Sequence, residues 1–340
     1  MIPILFDENA KTYNTNGVGA LSDVISWQVS EELNGIFELE MEYPIAGAHF
    51  DQIKTSSIIY AEPYAGGAAQ PFRVYRIGKA LDGHAPVYAR HVSYQLNWLV
   101  VMPFTASTLA DCLTKLKTYS ATENPFTFWT NKTINTGIAW TIPQSLRSML
   151  GGTEGSILQT YGGDYEWDAW TVKLWNRRGA DNGVRIAYGK NLVSASMEEN
   201  IGNTYTGVCP YWSDEETGTV VTLPEKYILA STAADFPFER IKTVDFSTDF
   251  DDEPSVATLR NRTQQYIAAN NIGHPNINIE VNMAALWQTE EYKGVAPLES
   301  VALGDTVTVD IPTLNISTQA RVVGYVYDGV KGRYKKLSIG

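Results

Sequence analysis

Hydrophobic and polar residues alternate along the N-terminal third of the chain in short runs. Residues 37–43, Phe-Glu-Leu-Glu-Met-Glu-Tyr, alternate without a break, which is the pattern of a strand with one face in a core and the other in water. The apolar positions over 25–29 alternate too, and turn-forming residues at 32–35 connect the two runs into a predicted β-hairpin. Further short strands are predicted at 57–64, 72–79 and 85–91. Such a series predicts a small barrel or sandwich.

From residue 105 the hydrophobic period becomes helical. One stripe is formed by Leu109, Cys112, Leu113, Leu116 and Tyr119. Thr105 or Ser107 is the expected N-cap of this helix. A short helix is predicted at 144–150, followed by strands at 165–176 and 184–188. This middle part is therefore expected to be an α+β unit.

The last third begins with a helix and returns to strands. The apolar face of this helix comprises Val256, Leu259, Thr263, Tyr266 and Ile267, with Pro254 near its start and Gly273 just past its end. Strands are predicted at 277–283, 307–309, 321–327 and 334–339. The chain is thus expected to be mainly β with α+β insertions. The predicted divisions are a β-barrel at 1–103, an α+β domain at 104–200, a connecting β segment at 201–253, and a helix plus second β-barrel at 254–340.

Composition narrows the class of protein. The chain has 340 residues, 44% of them hydrophobic, and no apolar run long enough for a membrane helix. Its first residues, 1–7, lack the features of a signal peptide, so export by the usual route is not expected. The formal charge of −12 disfavours specific binding to nucleic acid. The 19 tyrosines and 9 tryptophans favour β structure and large contact surfaces.

Glycine doublets at 151–152 and 162–163 raise the question of a phosphate site. A P-loop requires Lys followed by Ser or Thr directly after its last glycine, but Gly155 precedes Ser156 and Ile157. A dinucleotide fingerprint requires a parallel βαβ unit, which the pattern does not indicate. We therefore expect the first doublet to end a helix and the second to form a tight turn before a strand.

The sequence contains no motif that is typical of a metal site or of a catalytic nucleophile. His49, His84, His91 and His274 are isolated, without a pair at helical spacing that would place two imidazoles on one metal. The two cysteines, Cys112 and Cys209, are expected to be buried thiols. No nucleophile elbow occurs. The sequence predicts no catalytic, cofactor-binding or metal-binding residue.

Acidic residues leave one enzymatic alternative open. The cluster Asp249–Glu253 would supply paired carboxylates for glycoside hydrolysis, as would Asp164 with Glu166. We expect instead that the cluster lies before and within the first turn of the helix that follows, where the helix dipole favours negative charge.

Three tryptophans suggest a carbohydrate-binding alternative. Trp167 and Trp175 share one face of the predicted strand and Trp170 lies on the other. This arrangement favours a sheet packed on both faces, or packed on one face and docked to a partner on the other, over a sugar-binding platform.

Several segments resemble phage tail-associated proteins. They are Met1–Asp7, Asn34–Pro44, Tyr161–Tyr165, Arg178–Asp181, Tyr188–Leu192, Val244–Ser247, Leu303–Val307 and Arg333–Tyr334. On these residues the chain is similar, over essentially its whole length, to the N-terminal hub region of the prophage tail endopeptidase, or minor structural protein, family. The motifs are structural rather than catalytic.

This resemblance implies a baseplate-hub-like fold of two small β-barrels flanking α+β domains. It also implies a homotrimer that closes the tail tube of a siphophage of a Gram-positive host. The implied partners are the distal tail protein, the tape measure protein, and receptor-binding or tip proteins. We expect a structural virion protein at the tail tip, with no cofactor, and with any cell-wall-degrading module beyond Gly340. A peptidoglycan hydrolase and a carbohydrate-binding tip module remain the alternatives.

Overall fold

A computed structural model of the chain describes residues 1–78, 82–187, 190–214, 217–250, 252–270, 272–283, 301–312 and 316–340. Contacts between residues divide the chain into two compact units. The first consists of Met1–Ser196 with Glu280–Gly340, and the second of Met197–Ile279. Each unit is described by itself.

The N-terminal strands of the first unit form an antiparallel series. They are β1 (Ile4–Phe6), β2 (Gly19–Ala20), β3 (Ser26–Glu32), β4 (Phe37–Pro44), β5 (Ile58–Ala61), β6 (Gln70–Ile77) and β7 (His84–His91). Their order in the sheet is β3-β4-β7-β6-β5-β1-β2. Short 3₁₀ helices at Phe50–Gln52 and Val92–Asn97 complete this part of the chain.

The predicted hairpin is confirmed. Strands β3 and β4 pair antiparallel with Trp27 opposite Met41 and Val29 opposite Leu39, and all four side chains are buried. Asn34 has a φ of 59° in the connecting turn, a left-handed conformation that asparagine tolerates better than most residues. Alternation of apolar and polar residues thus fixes the register, because a slip of one residue would expose the whole apolar face.

The middle of the first unit combines short strands with short helices. They are β8 (Val100–Val101), β9 (Phe104–Ala106), α1 (Leu109–Thr118), β10 (Thr127–Thr130), β11 (Ile138–Trp140), β12 (Gln144–Ser145), α2 (Leu146–Leu150), α3 (Ile157–Tyr161), β13 (Asp164–Asp168) and β14 (Thr171–Trp175). Strands β10, β14 and β13 form a three-stranded sheet in that order.

Two local predictions in this region are wrong. The N-cap of α1 is Thr108, whose hydroxyl accepts a hydrogen bond from the backbone of Asp111, and neither Thr105 nor Ser107 has this role. The strand predicted at 165–176 is a hairpin of β13 and β14, because Ala169 turns the chain with a φ of 46°. The turn lacks a glycine or proline that would have marked it.

The second unit is a small sheet with one α-helix. Strand β15 (Asp181–Ala187) precedes this unit along the chain, and β16 (Leu192–Asn200) continues into it. The strands that lie wholly within it are β17 (Gly207–Ser213), β18 (Val220–Thr222), β19 (Ile228–Leu229) and β20 (Ile241–Asp245). Short 3₁₀ helices lie at Ala233–Asp235 and Ser247–Asp249. The predicted helix is α4 (Val256–Ala269), capped by Ser255, and its Leu259 packs with Leu223 and Phe246.

The C-terminal strands return to the first unit. They are β21 (Asn276–Met283), β22 (Thr306–Ile311), β23 (Ile316–Asp328) and β24 (Arg333–Ile339). Strand β23 pairs with β24 and β22, and also with β3 near the other end of the chain. Strand β15 pairs with β22.

This pairing bears on the predicted architecture. The mainly β fold with few helices is confirmed. Two separate barrels are not confirmed, because the described strands of the N-terminal and C-terminal parts join one open sheet through β23 and β3. The compact units also end at residues other than the predicted boundaries 103, 200 and 253. The four-part division stays a proposal. Within the described residues, no helix is long and apolar enough to cross a membrane.

Candidate functional site

The segment Tyr161–Tyr165 turns the chain from α3 into β13. Gly162 and Gly163 have φ values of 63° and 109°, and a Cβ on Gly163 would lie 2.3 Å from the carbonyl oxygen of Trp175. Lys132 Nζ donates hydrogen bonds to the carbonyl oxygens of Tyr161 at 2.5 Å and of Gly162 at 2.9 Å. These glycines therefore form a tight turn, as the sequence predicts, and a lysine satisfies the carbonyl groups at the end of the helix.

The other glycine-rich stretch also has the geometry of turns. Helix α2 ends at Leu150, and Gly152 and Gly155 have φ values of 90° and 70°. A cleft of about 400 Å³ beside them is lined by Gly152, Thr153, Glu154, Ser156, Leu158 and Gln159. This lining carries an acid and no base, so it does not suit a phosphate. The backbone N–H of Gly155 donates to the side chain of Gln159 instead.

Asn34 connects the N-terminal hairpin to the start of β13. Its amide nitrogen donates to the carbonyl oxygen of Gly163 at 3.2 Å, and its amide oxygen accepts from the backbone N–H of Tyr165 at 2.7 Å. One side chain therefore pairs with two backbone groups of the turn. This explains why an asparagine stands at a turn whose backbone is left-handed.

Asp164 is a buried carboxylate with three hydrogen-bond donors. Its side chain is 8% exposed, and Oδ1 and Oδ2 accept hydrogen bonds from Arg321 Nη1 at 3.2 Å and Nη2 at 2.5 Å. Oδ2 also accepts from the backbone N–H of Arg178 at 2.7 Å. A two-pronged arginine contact plus a backbone donor compensates the cost of burying this charge.

Arg178 forms a second buried pair with Glu31. Its Nη1 lies 2.7 Å from Glu31 Oε1, and the hydroxyl of Tyr325 donates to Oε2 at 2.6 Å. Burial lowers the pKa of Arg178, but the attraction of Glu31 outweighs it and the net shift of this pKa is upward. Burial, reinforced by Glu31, raises the pKa of Tyr325 well above its ordinary value. Arg178 thus stays charged and Tyr325 neutral.

The loop before β22 contributes Asp305 and the backbone of Gly304 to this group of contacts. A Cβ on Gly179, which has a φ of 82°, would lie 2.1 Å from the carbonyl carbon of Gly304. Asp305 accepts hydrogen bonds from the backbone N–H groups of Ala180 at 2.8 Å and Ala302 at 2.9 Å. Arg321 donates to the carbonyl oxygens of Gly304 and Arg178. We name the set Glu31, Asp164, Arg178, Asp305 and Arg321 the motif junction.

The two acids proposed for hydrolysis in this region have different partners. Glu166 lies two residues from Asp164 on the same face of β13, and it pairs with Lys173 at 2.9 Å. It also accepts a hydrogen bond from the indole N–H of Trp175 at 2.7 Å. Both carboxylates are therefore engaged as hydrogen-bond acceptors. Their contacts are those of residues that hold strands and loops together.

The acidic cluster before α4 is only partly as expected. Asp249 pairs with Arg262 at 2.6 Å, and Asp252 and Glu253 are exposed. Asp251 lies outside the described residues. Helix α4 begins at Val256 without an acidic residue in its first turn, so the described acids precede the helix and do not enter it.

The histidines and cysteines do not assemble into a metal site. His91 is buried between Gln70 and Ser93, and burial lowers its pKa to about 3. Burial raises the pKa of Cys112 to about 12. Cys209 was expected to be buried and is only half-buried, because its side chain lies on the less covered face of β17. Across the part of the chain that the structure describes, no three metal-ligating side chains form a group.

The predicted tryptophan arrangement requires correction. Trp167 and Trp175 were predicted to share a face, but the register of β13 and β14 places them on opposite faces of the sheet, and Trp167 is buried, with 4% of its surface exposed. Trp170 lies in the turn between β13 and β14, not on the opposite face of one strand. Trp175 contacts Trp129, which the sequence analysis did not single out, at a ring distance of 4.6 Å.

Glu31 and Arg321 were not among the predicted site residues. Glu31 has the same strand parity as the buried residues Trp27 and Val29, so a charge on the inward face of β3 was visible in the pattern. Arg321 carried no such signal, because its partners come from distant parts of the chain.

Three of the five residues of the motif junction lie in segments on which the resemblance was based. Tyr161–Tyr165 contains Asp164, Arg178–Asp181 follows it, and Leu303–Val307 contains Asp305. Residues 180–340 match the prophage endopeptidase tail family. The predicted resemblance to prophage tail proteins is thereby confirmed. None of the curated proteins matches the sequence.

Solved prophage tail proteins have the same fold over the whole chain. The crystal structure of prophage tail protein gp18 from Listeria monocytogenes EGD-e is 17% identical, with a TM-score of 0.61 over 100% of this chain and 94% of that one. The 43 kDa tail protein of prophage MuSo2 from Shewanella oneidensis is 12% identical, with a TM-score of 0.64 over 100% and 97%.

A tail protein from Neisseria meningitidis MC58 is 10% identical, with a TM-score of 0.62 over 99% of this chain and 95% of that one. At these identities the likeness establishes a shared fold. The chain therefore shares the fold of these solved tail proteins over its whole length, and its residues 180–340 match the prophage endopeptidase tail family in sequence.

Proposed function

We propose that the chain is a structural component of a phage or prophage tail and performs no catalysis of its own. The observation that carries this proposal is the shared fold, which extends over 94% to 97% of the solved tail proteins. The motif junction supports it, because Asp164 and Asp305 of the resembling segments accept hydrogen bonds from backbone N–H groups, and Asp164 also accepts from Arg321. We propose no endopeptidase activity for the described residues.

We further propose a position at the tail tip of a siphophage virion that infects a Gram-positive host. There the chain would form a hub-like homotrimer, with barrel-like β regions presenting a pseudo-sixfold ring to the tail tube. Its partners would be the distal tail protein, the tape measure protein, and receptor-binding or tip proteins. The trimer would close the tube and open on host contact for DNA, and the net charge of −12 would limit adhesion of DNA to the passage.

Labelling of intact particles tests the location. Antibodies against the purified chain, detected with gold on electron micrographs of phage, should label one end of the tail and leave the head unlabelled. Gold distributed along the tube or absent from the tail would contradict the proposal.

Light scattering tests the trimer. A permanent trimer buries more than ~2,000 Å² per interface, so it should persist at micromolar concentration. A mass equal to three chains, alone or with the distal tail protein added, supports the proposal. A monomer under both conditions contradicts it.

Cell-wall digestion tests the absence of catalysis. Purified protein should leave cell-wall material intact on a zymogram. Clearing by the wild type that is lost in Asp164→Asn or Asp249→Asn would favour the hydrolase alternative. Retention of the folded state by each variant, measured by circular dichroism, is the control.

A further inference from the structure

One face of the three-stranded sheet β10-β14-β13 presents aromatic and charged side chains together. The pairing register places Trp129 of β10 beside Lys173 of β14, and Lys173 beside Glu166 of β13. The opposite face carries Tyr165, Trp167, Val172 and Leu174, all of which are buried. We name the set Trp129, Glu166, Asp168, Lys173 and Trp175 the aromatic face.

The two indoles of the aromatic face are held in a fixed arrangement. Their rings lie 4.6 Å apart at an interplanar angle of 61°, and Trp129 is 41% exposed. The indole N–H of Trp175 donates to Glu166 Oε2 at 2.7 Å, so one edge of this ring is anchored to the neighbouring strand. A fixed indole loses little conformational entropy when a ligand covers it.

The charged groups around the indoles are also held in place. Lys173 Nζ lies 2.9 Å from Glu166 Oε1 and 2.8 Å from Asp168 Oδ2. An ionised carboxylate offers about four acceptor positions, so both acids keep capacity for further donors. The face thus offers flat apolar rings beside carboxylates that can still accept hydrogen bonds from hydroxyl groups.

We propose that the aromatic face binds a saccharide. A sugar ring has an apolar face of C–H groups, which fits an indole, and a rim of hydroxyl groups, which fits fixed carboxylates. A protein partner fits less well, because the cores of protein interfaces are depleted of charged residues and this face has Lys173 at its centre. Nucleic acid fits less well still, because Glu166 and Asp168 would repel phosphates.

The proposal concerns binding alone and does not depend on the structural role in the tail. If both are correct, the face would allow the tail component to contact a surface glycan. If the chain proved not to be a tail protein, the binding prediction would stand unchanged.

Titration calorimetry with defined soluble sugars tests the proposal. The probes are chitotetraose, maltotetraose, mannotetraose and the disaccharide-dipeptide unit of peptidoglycan. We expect the wild type to bind at least one of them at millimolar concentration, and Trp129→Ala to weaken that binding by about tenfold or more. Trp98→Ala is the matched control, because Trp98 is 74% exposed and lies outside the face.

Two further variants keep the test decisive. Trp129→Thr removes the indole with a residue that favours strands, and should reproduce the loss even if the alanine variant unfolds. Trp175→Phe keeps a ring but removes the donor to Glu166, and should weaken binding less than Trp129→Ala does. Failure of every probe to bind the wild type overturns the proposal. Unchanged binding in the folded Trp129 variants, or an equal loss in Trp98→Ala, also overturns it.

Discussion

Two arginine–carboxylate pairs of nearly the same geometry occupy opposite environments in this protein. Arg321 and Asp164 approach to 2.5 Å in the motif junction, where their side chains are 24% and 8% exposed. Arg260 and Glu225 approach to 2.6 Å in the second unit, where the values are 36% and 39%. The chemistry is the same and the surroundings are not.

The difference shows why geometry alone is a poor guide to importance. Water competes for the exposed pair, and either partner can be solvated when the other is removed. Removing one partner of the buried pair leaves a charge without compensation in a place that water reaches poorly. The motif junction should therefore determine the stability of the first unit, whereas the exposed pair should contribute little.

The largest effect is expected for Asp164→Ala. Arg321 would lose its carboxylate and the backbone N–H of Arg178 its acceptor, so the free energy of unfolding should fall by ~3–5 kcal/mol. Urea unfolding followed by circular dichroism measures this loss. Glu225→Ala is the matched control for the exposed pair. Equal losses in the two variants would contradict the comparison.

Gly179→Ala should have the next largest effect. Gly179 and Gly183 have φ values of 82° and 71°, but a Cβ would collide with the backbone of Gly304 at Gly179 and meets nothing within 4 Å at Gly183. The left-handed backbone should lower the free energy of unfolding of an alanine variant by ~1–2 kcal/mol at either position. At Gly179 the collision should lower it by a further ~1–3 kcal/mol. Thermal unfolding of both variants compares them. A Gly183 variant as unstable as the Gly179 variant would rule out the role given to the contact with Gly304.

The buried His91 should make the stability of the fold depend on pH. Burial lowers the pKa of His91 to about 3. The contribution of the neutral His91 to the stability of the fold is therefore fully present above the ordinary pKa of 6.5, and it is lost progressively as the pH falls below 6.5. Between pH 7 and pH 5 the wild type should lose roughly 1–2 kcal/mol through this group. Urea unfolding at the two values measures it, and His91→Gln should lose less.

The control for this prediction is His84→Gln, because the side chain of His84 is 42% exposed beside Glu42. The His84 variant should lose as much stability as the wild type does. A wild type whose stability is unchanged down to pH 5 would show that His91 is not protected from protonation.

The smallest effect is expected for Glu225→Gln. The hydrogen bond from Arg260 lowers the pKa of Glu225 to about 2, so any stabilisation is present above pH 4.5 and is lost as the pH falls toward 2. Because the pair is exposed, the change in stability should be small and should disappear in concentrated salt. Urea unfolding at low and high ionic strength tests this. A large loss that persists in salt would place this pair in the same class as the buried one.

Local features of the fold were predictable from the sequence. The hairpin of β3 and β4 follows from alternation over 37–43, and the face of α4 that contains Leu259 follows from helical spacing. The cap of α1 was misplaced by one or three residues, because Thr105, Ser107 and Thr108 all carry a suitable hydroxyl and only the final backbone selects one.

Long-range features were not predictable in the same way. The pairing of β23 with β3 joins strands from opposite ends of the chain, and no local pattern specifies it. The partners of Arg321 are likewise Asp164 and two backbone carbonyl groups that are close only after folding. Glu31 is the exception, because an acid on the inward face of a strand indicates a buried partner before that partner is known.

The most direct test of a structural role for the motif junction is the thermal unfolding of Asp164→Asn beside Glu225→Gln. Each change replaces a carboxylate with an amide of nearly the same shape. Asp164→Asn should unfold several degrees below the wild type, while Glu225→Gln should unfold close to it. An Asp164→Asn protein that unfolds at the wild-type temperature would contradict the structural role of Asp164.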